Sequence, residues 1–250
     1  MSASEAQRPE IIAHRGYASR APENTVAALD AALEAGAASV EWDVQIASCG
    51  TPVLFHDVHL GRTTNGVGPV RRRTLQQLQA LDAGTWFSSE FAGEPIPSLA
   101  EALEGVSDRV DRIYCEIKGY REMEDLDRIV DVTRAGGQLD RTVFISLDWI
   151  TLDRVASQEP GHPIGFIVDD AERAAEAVDR AARHGNAFVD GSAAMFLGDP
   201  TVAARVSEAG LDLGVWTVDE IAHADALAAM GVTRFTTNEV ERMLAWRDGR

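Results

Sequence analysis

The stretch VEWDVQIASCGTPVLFHD, residues 40–57, decides how this chain is read. Val40, Trp42 and Val44 alternate with Glu41 and Asp43, the period of a β-strand whose two faces meet different surroundings. The apolar set suits a layer between a sheet and its covering helices. The two carboxylates therefore point the other way, toward the axis of a closed sheet. A turn at 48–51 returns the chain as a hairpin, and a four-residue loop sets Asp43 roughly opposite His56. Buried strands rarely accept several ionisable groups at one level unless those groups act together.

The run 112–118 repeats the device: Ile113, Cys115 and Ile117 alternate with Tyr114, Glu116 and Lys118. Further short runs rich in Ile, Val or Phe lie at 10–13, 142–146, 163–168, 186–190, 213–218 and 233–237, which with 39–44 and 112–118 make eight. Helical patterns occupy 23–35, 123–135, 149–158, 170–184, 200–209, 220–230 and 239–246. Asp199-Pro200 reads as an N-cap with Pro at the first helical position, and Gly36, Gly210 and Gly231 read as stops. Eight strands, nearly all followed by a helix, predict an α/β fold, the (β/α)₈ TIM barrel. A doubly wound open sheet competes, but it uses fewer strands, and no GxGxxG follows the first strand here. Residues 1–250 then form one barrel domain, with an insertion at about 45–111 after the second barrel strand. That insertion, with helix-like pieces at 74–81 and 98–104, is expected above the C-terminal mouth, where long loops usually carry function.

The composition narrows the partners. The 250 residues are 45% apolar, enough for a substantial core, and carry a net charge of −17. Such a chain repels a phosphate backbone and an anionic membrane surface, so neither nucleic acid nor stable membrane association is expected. Two cysteines, Cys49 and Cys115, are too few for a disulfide framework; Cys115 reads as core and Cys49 as an exposed turn residue. The opening MSASEAQRPE lacks an apolar segment, and no apolar run approaches the ~18 residues of a membrane span, so a cytoplasmic location is expected.

The first strand ends in His14 and Arg15. Barrel active sites sit at the C-terminal strand ends, so neighbouring strands would bring together His14, Arg15, Glu41, Asp43, Glu116 and Lys118, with His56 arriving by the hairpin. Three converging carboxylates cannot all stay ionised without a counter-charge. A hard divalent cation, Mg²⁺ or Ca²⁺, supplies it through Glu41, Asp43 and Glu116; zinc fits less well, since the set lacks Cys. Arg15 and Lys118 add fixed positive charge for an anion, and His14 and His56 suit proton transfer near neutral pH. Together they predict metal-assisted phosphodiester cleavage. Singly, each residue has a plainer reading: a strand-end carboxylate usually caps a helix or pairs with a base, and a lone histidine is usually structural. Their shared location carries the argument. His59, His162, His184 and His223 lack such company and read as surface or structural residues.

The residues His14-Arg15-Gly16, Pro22-Glu23-Asn24-Thr25, Glu41-Trp42-Asp43-Val44, Pro52-Val53-Leu54-Phe55-His56-Asp57, Leu60-Gly61-Arg62-Thr63-Thr64, Ile96-Pro97-Ser98-Leu99, Glu116-Ile117-Lys118 and Val215-Trp216-Thr217-Val218 resemble, in order, the motifs of glycerophosphodiester phosphodiesterases. The resemblance runs from about residue 10 to about residue 240. It implies a TIM barrel, a divalent metal on Glu41, Asp43 and Glu116, general acid–base work by His14 and His56, phosphate contacts from Arg15 and Lys118, and Trp216 on the pocket wall. It also implies a small-molecule glycerophosphodiester as substrate, cleaved to sn-glycerol 3-phosphate and an alcohol by way of a cyclic phosphate. The sequence departs from the family pattern at Cys49-Gly50, Ser146-Leu147 and Thr237-Asn238-Glu239-Val240, where the family usually has Asp-Gly, Ser-Phe and Thr-Asp-x-Pro.

Two other readings stand beside this one. A phospholipase C- or D-like lipid phosphodiesterase needs an apolar or basic rim facing a membrane, and no cluster of Trp or Lys near a loop supplies it. A non-catalytic phosphodiester-binding barrel would have lost a histidine or a carboxylate, and all are present. Oligomeric state, a homo-oligomer included, is left open by the sequence.

Overall fold

The computed structural model describes residues 8–250. Its strands are β1 (Glu10–Ala13), β2 (Ser39–Ile46), β3 (Pro52–Leu54), β4 (Arg112–Ile117), β5 (Thr142–Ser146), β6 (Ile164–Val168), β7 (Ala187–Ser192), β8 (Leu213–Trp216) and β9 (Arg234–Thr237). All but β3 pair in parallel in the order β1-β9-β8-β7-β6-β5-β4-β2, and β1–β2 pairing closes the ring. This is the predicted (β/α)₈ barrel. The helices are α1 (Val26–Glu34), α2 (Leu75–Gln79), α3 (Leu99–Val106), α4 (Met123–Ala135), α5 (Trp149–Gln158), α6 (Ala171–His184), α7 (Ala193–Gly198), α8 (Pro200–Glu208), α9 (Ile221–Ala229) and α10 (Val240–Asp248).

The two-residue alternation divides the barrel into its layers. Val40, Trp42, Val44, Ile113, Cys115 and Ile117 are buried outward against the helices. Inward, Ile12, Tyr114, Val143, Ile145, Ile167 and Phe188 fill the barrel interior. Cys115 is a core residue and Cys49 is exposed, as expected. Among the described residues no helix is long and apolar enough to cross a membrane.

Three local readings shift. In the hairpin, Val44 pairs with Leu54 and Ile46 with Pro52, so residues 47–51 form the connection. That is one residue more than predicted. Asp43 therefore faces Phe55, whose N–H donates to the Asp43 carbonyl at 2.9 Å, and His56 lies beyond the ladder. There the Gln45 Nε2 donates to the His56 carbonyl at 3.1 Å.

The first helix starts at Val26 rather than at residue 23. Thr25 caps it, accepting from the Ala28 N–H at 3.2 Å. Asn24 takes a left-handed conformation (φ 58°), and residues 22–25 become a turn at the barrel mouth.

The predicted insertion, 45–111, contains a regular barrel helix. α3 packs between α1 and α4, opened by a Ser98–Glu101 capping box. The rest of that segment has a small core of its own, built on Val53, Phe55, Leu60, Val70, Leu78 and Ile96.

Candidate active site

The β2–β4 register sets Asp43 beside Glu116, two strands presenting carboxylates at one level, with Glu41 two residues below Asp43. All three are buried. One oxygen from each lies within 4.8 Å of the others. Among the described residues, Glu41 Oε1, Asp43 Oδ1 and Glu116 Oε1 have no hydrogen-bond donor. Lys118, just past the end of β4, brings its Nζ to 2.7 Å from Glu116 Oε1 and 3.5 Å from Asp43 Oδ1. These are close ion pairs whose angles fall outside ordinary hydrogen-bond geometry, so Lys118 offsets part of the charge on Glu116 and Asp43. Burial, then the charges of Asp43 and Glu116, pushes Glu41 well above the usual carboxyl range. Burial and Asp43 push Glu116 up to about 7. Asp43 goes the other way: burial opposes its charge, but Arg15 and Lys118 outweigh it and hold the carboxyl below its ordinary value. Three buried carboxylates, each with an oxygen free of donors, form a set able to hold a metal ion.

Arg15 ties this cluster to the first strand. Its backbone is left-handed (φ 55°) and Gly16 follows at φ 79°. A Cβ at Gly16 would lie 2.5 Å from the Ala28 carbonyl carbon, so only glycine lets α1 come this close. In that turn the Arg15 N–H donates to Glu41 Oε2 at 2.9 Å. The guanidinium donates to Glu23 at 2.7 Å and pairs with Asp43 at 3.0 Å. Asn24 clamps the same aspartate: its Nδ2 donates to Asp43 Oδ2 at 2.7 Å, and its Oδ1 accepts from the Asp43 N–H at 3.0 Å.

The two histidines reach the cavity in different company. His14 Nδ1 is 2.8 Å from Asn238 Oδ1. The Asn238 amide is oriented by Asp219, which accepts from its Nδ2 and from its N–H, each at 2.8 Å. An amide whose NH₂ is committed to a carboxylate can only offer its oxygen, so the His14 proton sits on Nδ1 and Nε2 is an acceptor. Burial, reinforced by Arg15, lowers His14 to about 4. His56 Nδ1 is 2.5 Å from Asp57 Oδ1. Arg62 holds that carboxylate, donating through Nε to Oδ2 at 2.6 Å, and itself donates to both oxygens of Glu23 at 2.7 and 2.8 Å. Burial opposes the Asp57 charge, but Arg62 and His56 prevail and bring its pKa down to about 2.

A cavity of about 180 Å³ joins these groups. His14, Arg15, Glu41, His56, Glu116 and Lys118 line one side; Ile145, Leu147, Ile167 and Trp216 line the other. The Trp216 indole N–H donates to the Asp190 carbonyl at 3.3 Å, which fixes the ring against the wall. Asp190 itself lies in the cavity wall, buried and pushed up to about 7 by burial and by Glu116. Of the predicted residues, Asp43 lies behind the lining and all the others line the cavity. Sequence reading passed over Glu23, Asn24, Asp57, Arg62, Asn238, Asp219 and Asp190. The first four stand inside quoted motifs. Asn238 stood out as a departure from a pattern, and it is the residue that holds His14. Away from the cavity, His184 Nε2 lies 2.8 Å from the His162 carbonyl oxygen, as in a structural residue.

A glycerophosphodiester phosphodiesterase of Caldanaerobacter subterraneus subsp. tengcongensis is 37% identical over 161 residues, a match spanning 63% of this chain and 65% of that relative's length. Among solved structures, an Oleispira antarctica phosphodiesterase in complex with the product sn-glycerol-3-phosphate is 30% identical, with a TM-score of 0.89 over 96% of this chain and 97% of that one. A glycerophosphodiester phosphodiesterase from Agrobacterium tumefaciens is 29% identical, with a TM-score of 0.79 over 93% and 97%. The family model described as glycerophosphoryl diester phosphodiesterase matches residues 14–242. That match opens on His14 and continues past Asn238, taking in every residue that lines the cavity, and the chain belongs to this family of phosphodiester hydrolases.

Proposed function

We propose that this protein hydrolyses glycerophosphodiesters to sn-glycerol 3-phosphate and an alcohol, using Mg²⁺ or Ca²⁺ on Glu41, Asp43 and Glu116 and paired acid–base work by His14 and His56. One observation carries the reading: three buried carboxylate oxygens without donors converge between two cations, Arg15 and Lys118, beside two histidines. The product held by the Oleispira antarctica structure supports the same product here. A divalent cation bound to the carboxylates would supply charge that draws in the diester and stabilises its oxygens as bonds change. Arg15 and Lys118 hold the phosphate oxygens, and Glu23 and Asp43 keep the Arg15 head at the cavity edge.

The partners of the histidines distinguish their first roles. Against a neutral amide, His14 is uncharged and offers Nε2 as a base to the glyceryl 2-hydroxyl. His56, paired with the Asp57 carboxylate, is the acid. The 2-oxygen attacks phosphorus, with the proximity advantage of a vicinal hydroxyl. The P–O bond to the alcohol breaks, and the alcohol leaves with the His56 proton. For the cyclic phosphate the roles reverse: His56 takes a proton from water, water's oxygen bonds to phosphorus, the bond from phosphorus to the 2-oxygen breaks, and His14 returns its proton to that oxygen.

The test is ³¹P NMR of metal-stripped protein incubated with glycerophosphocholine, glycerophosphoethanolamine and glycerophosphoglycerol after Mg²⁺ or Ca²⁺ is restored. Sn-glycerol 3-phosphate is expected. Phosphocholine, or a cyclic phosphate that is never opened, would sink the reading in favour of phospholipase-like chemistry.

A further inference from the structure

Asp190 has no place in the chemistry above, yet its carboxyl belongs to the same cavity. It points inward from β7, is 5% exposed, and neither side-chain oxygen takes part in a hydrogen bond or ion pair among the described residues. Ile145, Ile167 and the Trp216 ring line the cavity with it, and the charges that act on it are Glu116, which opposes its ionisation, and Arg234, which favours it. Room for it is made by Gly214, its partner on β8, where a Cβ would lie 2.7 Å from Asp190 Oδ1. A buried carboxyl facing a cavity without a partner is costly unless a bound molecule completes it.

The depth of Asp190 selects which part of the substrate it meets. It sits two residues below the C-terminal end of β7, whereas His14 and Lys118 lie just past the ends of β1 and β4. In the proposed reaction the phosphate lies at the level of Arg15 and Lys118. The leaving alcohol must depart through the mouth, so the three-carbon glyceryl group occupies the inner end. Its 2-hydroxyl faces His14, which leaves the terminal hydroxyl directed inward. We propose that Asp190 is a specificity-determining residue that binds the free terminal hydroxyl of the glyceryl group and so rejects diesters acylated at that position. This rests on the glycerophosphodiesterase reading and names how its site distinguishes a glycerophosphodiester from a lysophospholipid. An acyl ester there would remove the donor and press an alkyl chain against a polar group at the closed end of a cavity of about 180 Å³.

The test is a cycle of variants against substrates. The substrates are a glycerophosphodiester and the matching diester of propane-1,2-diol, which keeps the vicinal hydroxyl and lacks the terminal one. Wild type should prefer the first by about 10- to 100-fold in kcat/KM, the usual worth of a hydrogen bond to a carboxylate. Asp190→Ala should lose that factor on the glyceryl substrate and stay within about threefold on the propanediol substrate. Asp190→Asn, of the same shape, should keep part of the preference and controls for folding. Equal losses on both substrates would make Asp190 a structural residue and overturn the proposal, as would a wild type indifferent to the terminal hydroxyl. Calorimetric binding of sn-glycerol 3-phosphate against propane-1,2-diol phosphate reads the same contact without turnover. Discrimination in binding with neither diester hydrolysed would overturn the catalytic reading and sustain the Asp190 contact.

Discussion

On the cavity wall formed by β1, β2 and β4 and the segment after β3, the side chains are His14, Arg15, Glu41, Glu116, Lys118 and His56; on the wall formed by β5 to β8 they are Ile145, Leu147, Ile167 and Trp216, with the Asp190 carboxyl among them. The charged wall is over-determined. Glu23, Asp57 and Asn238 each hold a group that faces the cavity, Arg15, His56 and His14 in turn, while Arg62 ties Glu23 to Asp57 and Asn24 holds Asp43 just behind the lining. The apolar wall has few such tethers and offers shape and a dry surface. Reactions need exact placement of proton donors and charges, whereas holding a small alcohol needs only fit and exclusion of water. The difference teaches that the proposed reaction would have its chemistry on one side of the barrel mouth and its selectivity on the other.

The largest expected effect comes from the two histidines of the charged wall. His14→Ala and His56→Ala should each cost on the order of 10²–10⁴ in kcat, with the double variant losing less than the product of the two. A p-nitrophenyl diester, whose leaving group needs no proton, should rescue His56→Ala and leave His14→Ala impaired. Rescue of the wrong variant would reverse the roles given to the amide-backed and carboxylate-backed rings.

A smaller effect is expected one step behind the wall. Asn238→Ala should lower kcat by about 10–100-fold while metal affinity stays near wild type, the scale for residues that orient functional groups. The ¹⁵N shifts of His14 should report a proton on Nδ1 in the wild type and a tautomer mixture in the variant. Unchanged shifts would show that the ring needs no amide to hold it.

The smallest effect is on stability, and its sign follows from the pKa values. Glu116 and Asp190 are pushed up to about 7 from ordinary carboxyl values of 4.5 and 3.8. The native state therefore holds protons that the unfolded chain releases. Their contribution is complete at low pH and is lost as pH rises through about 7. His14, lowered from 6.5 to about 4, acts in the opposite sense, adding stability as pH rises between those values. Above 6.5 only the carboxyl effect continues. Metal-free protein should thus lose melting temperature between about pH 6.5 and 8. Glu41→Gln should flatten that fall and raise the metal-free Tm, by roughly 2–4 °C for each kcal/mol of repulsion relieved. A Tm that rises with pH across the window, or falls with Glu41→Gln, would break this part of the account.

Much of the charged wall was legible because strand alternation is strict. Once 40–44 and 112–118 read as inward and outward faces, Glu41, Asp43 and Glu116 had one direction to point. The barrel itself followed from eight repeats of one pattern. What stayed illegible depends on geometry that no local period encodes. Glu23 and Asn24 fit a helical pattern equally well; only the cap at Thr25 turns them into site residues. Asn238 meets His14 across 224 residues of sequence, through the closure of the ring between β9 and β1. The hairpin register slipped by one because one extra connecting residue changes the partner of every residue in the ladder. Asp190 left a signal that was available, a lone carboxylate two residues after Phe188 in an apolar strand, on the same inward phase.

The central claim is that the charged wall is a divalent-cation site. Isothermal titration of metal-stripped protein with Mg²⁺ and Ca²⁺ at pH 6.5, in buffers of different ionisation enthalpy, tests it most directly. The account predicts one equivalent bound to the wild type with net proton release, because Glu41 and Glu116, raised by burial, must ionise to bind. It predicts greatly weakened binding in Glu41→Gln and Glu116→Gln. Binding unaltered by both substitutions, or full phosphodiesterase turnover by protein proven free of metal, would contradict it.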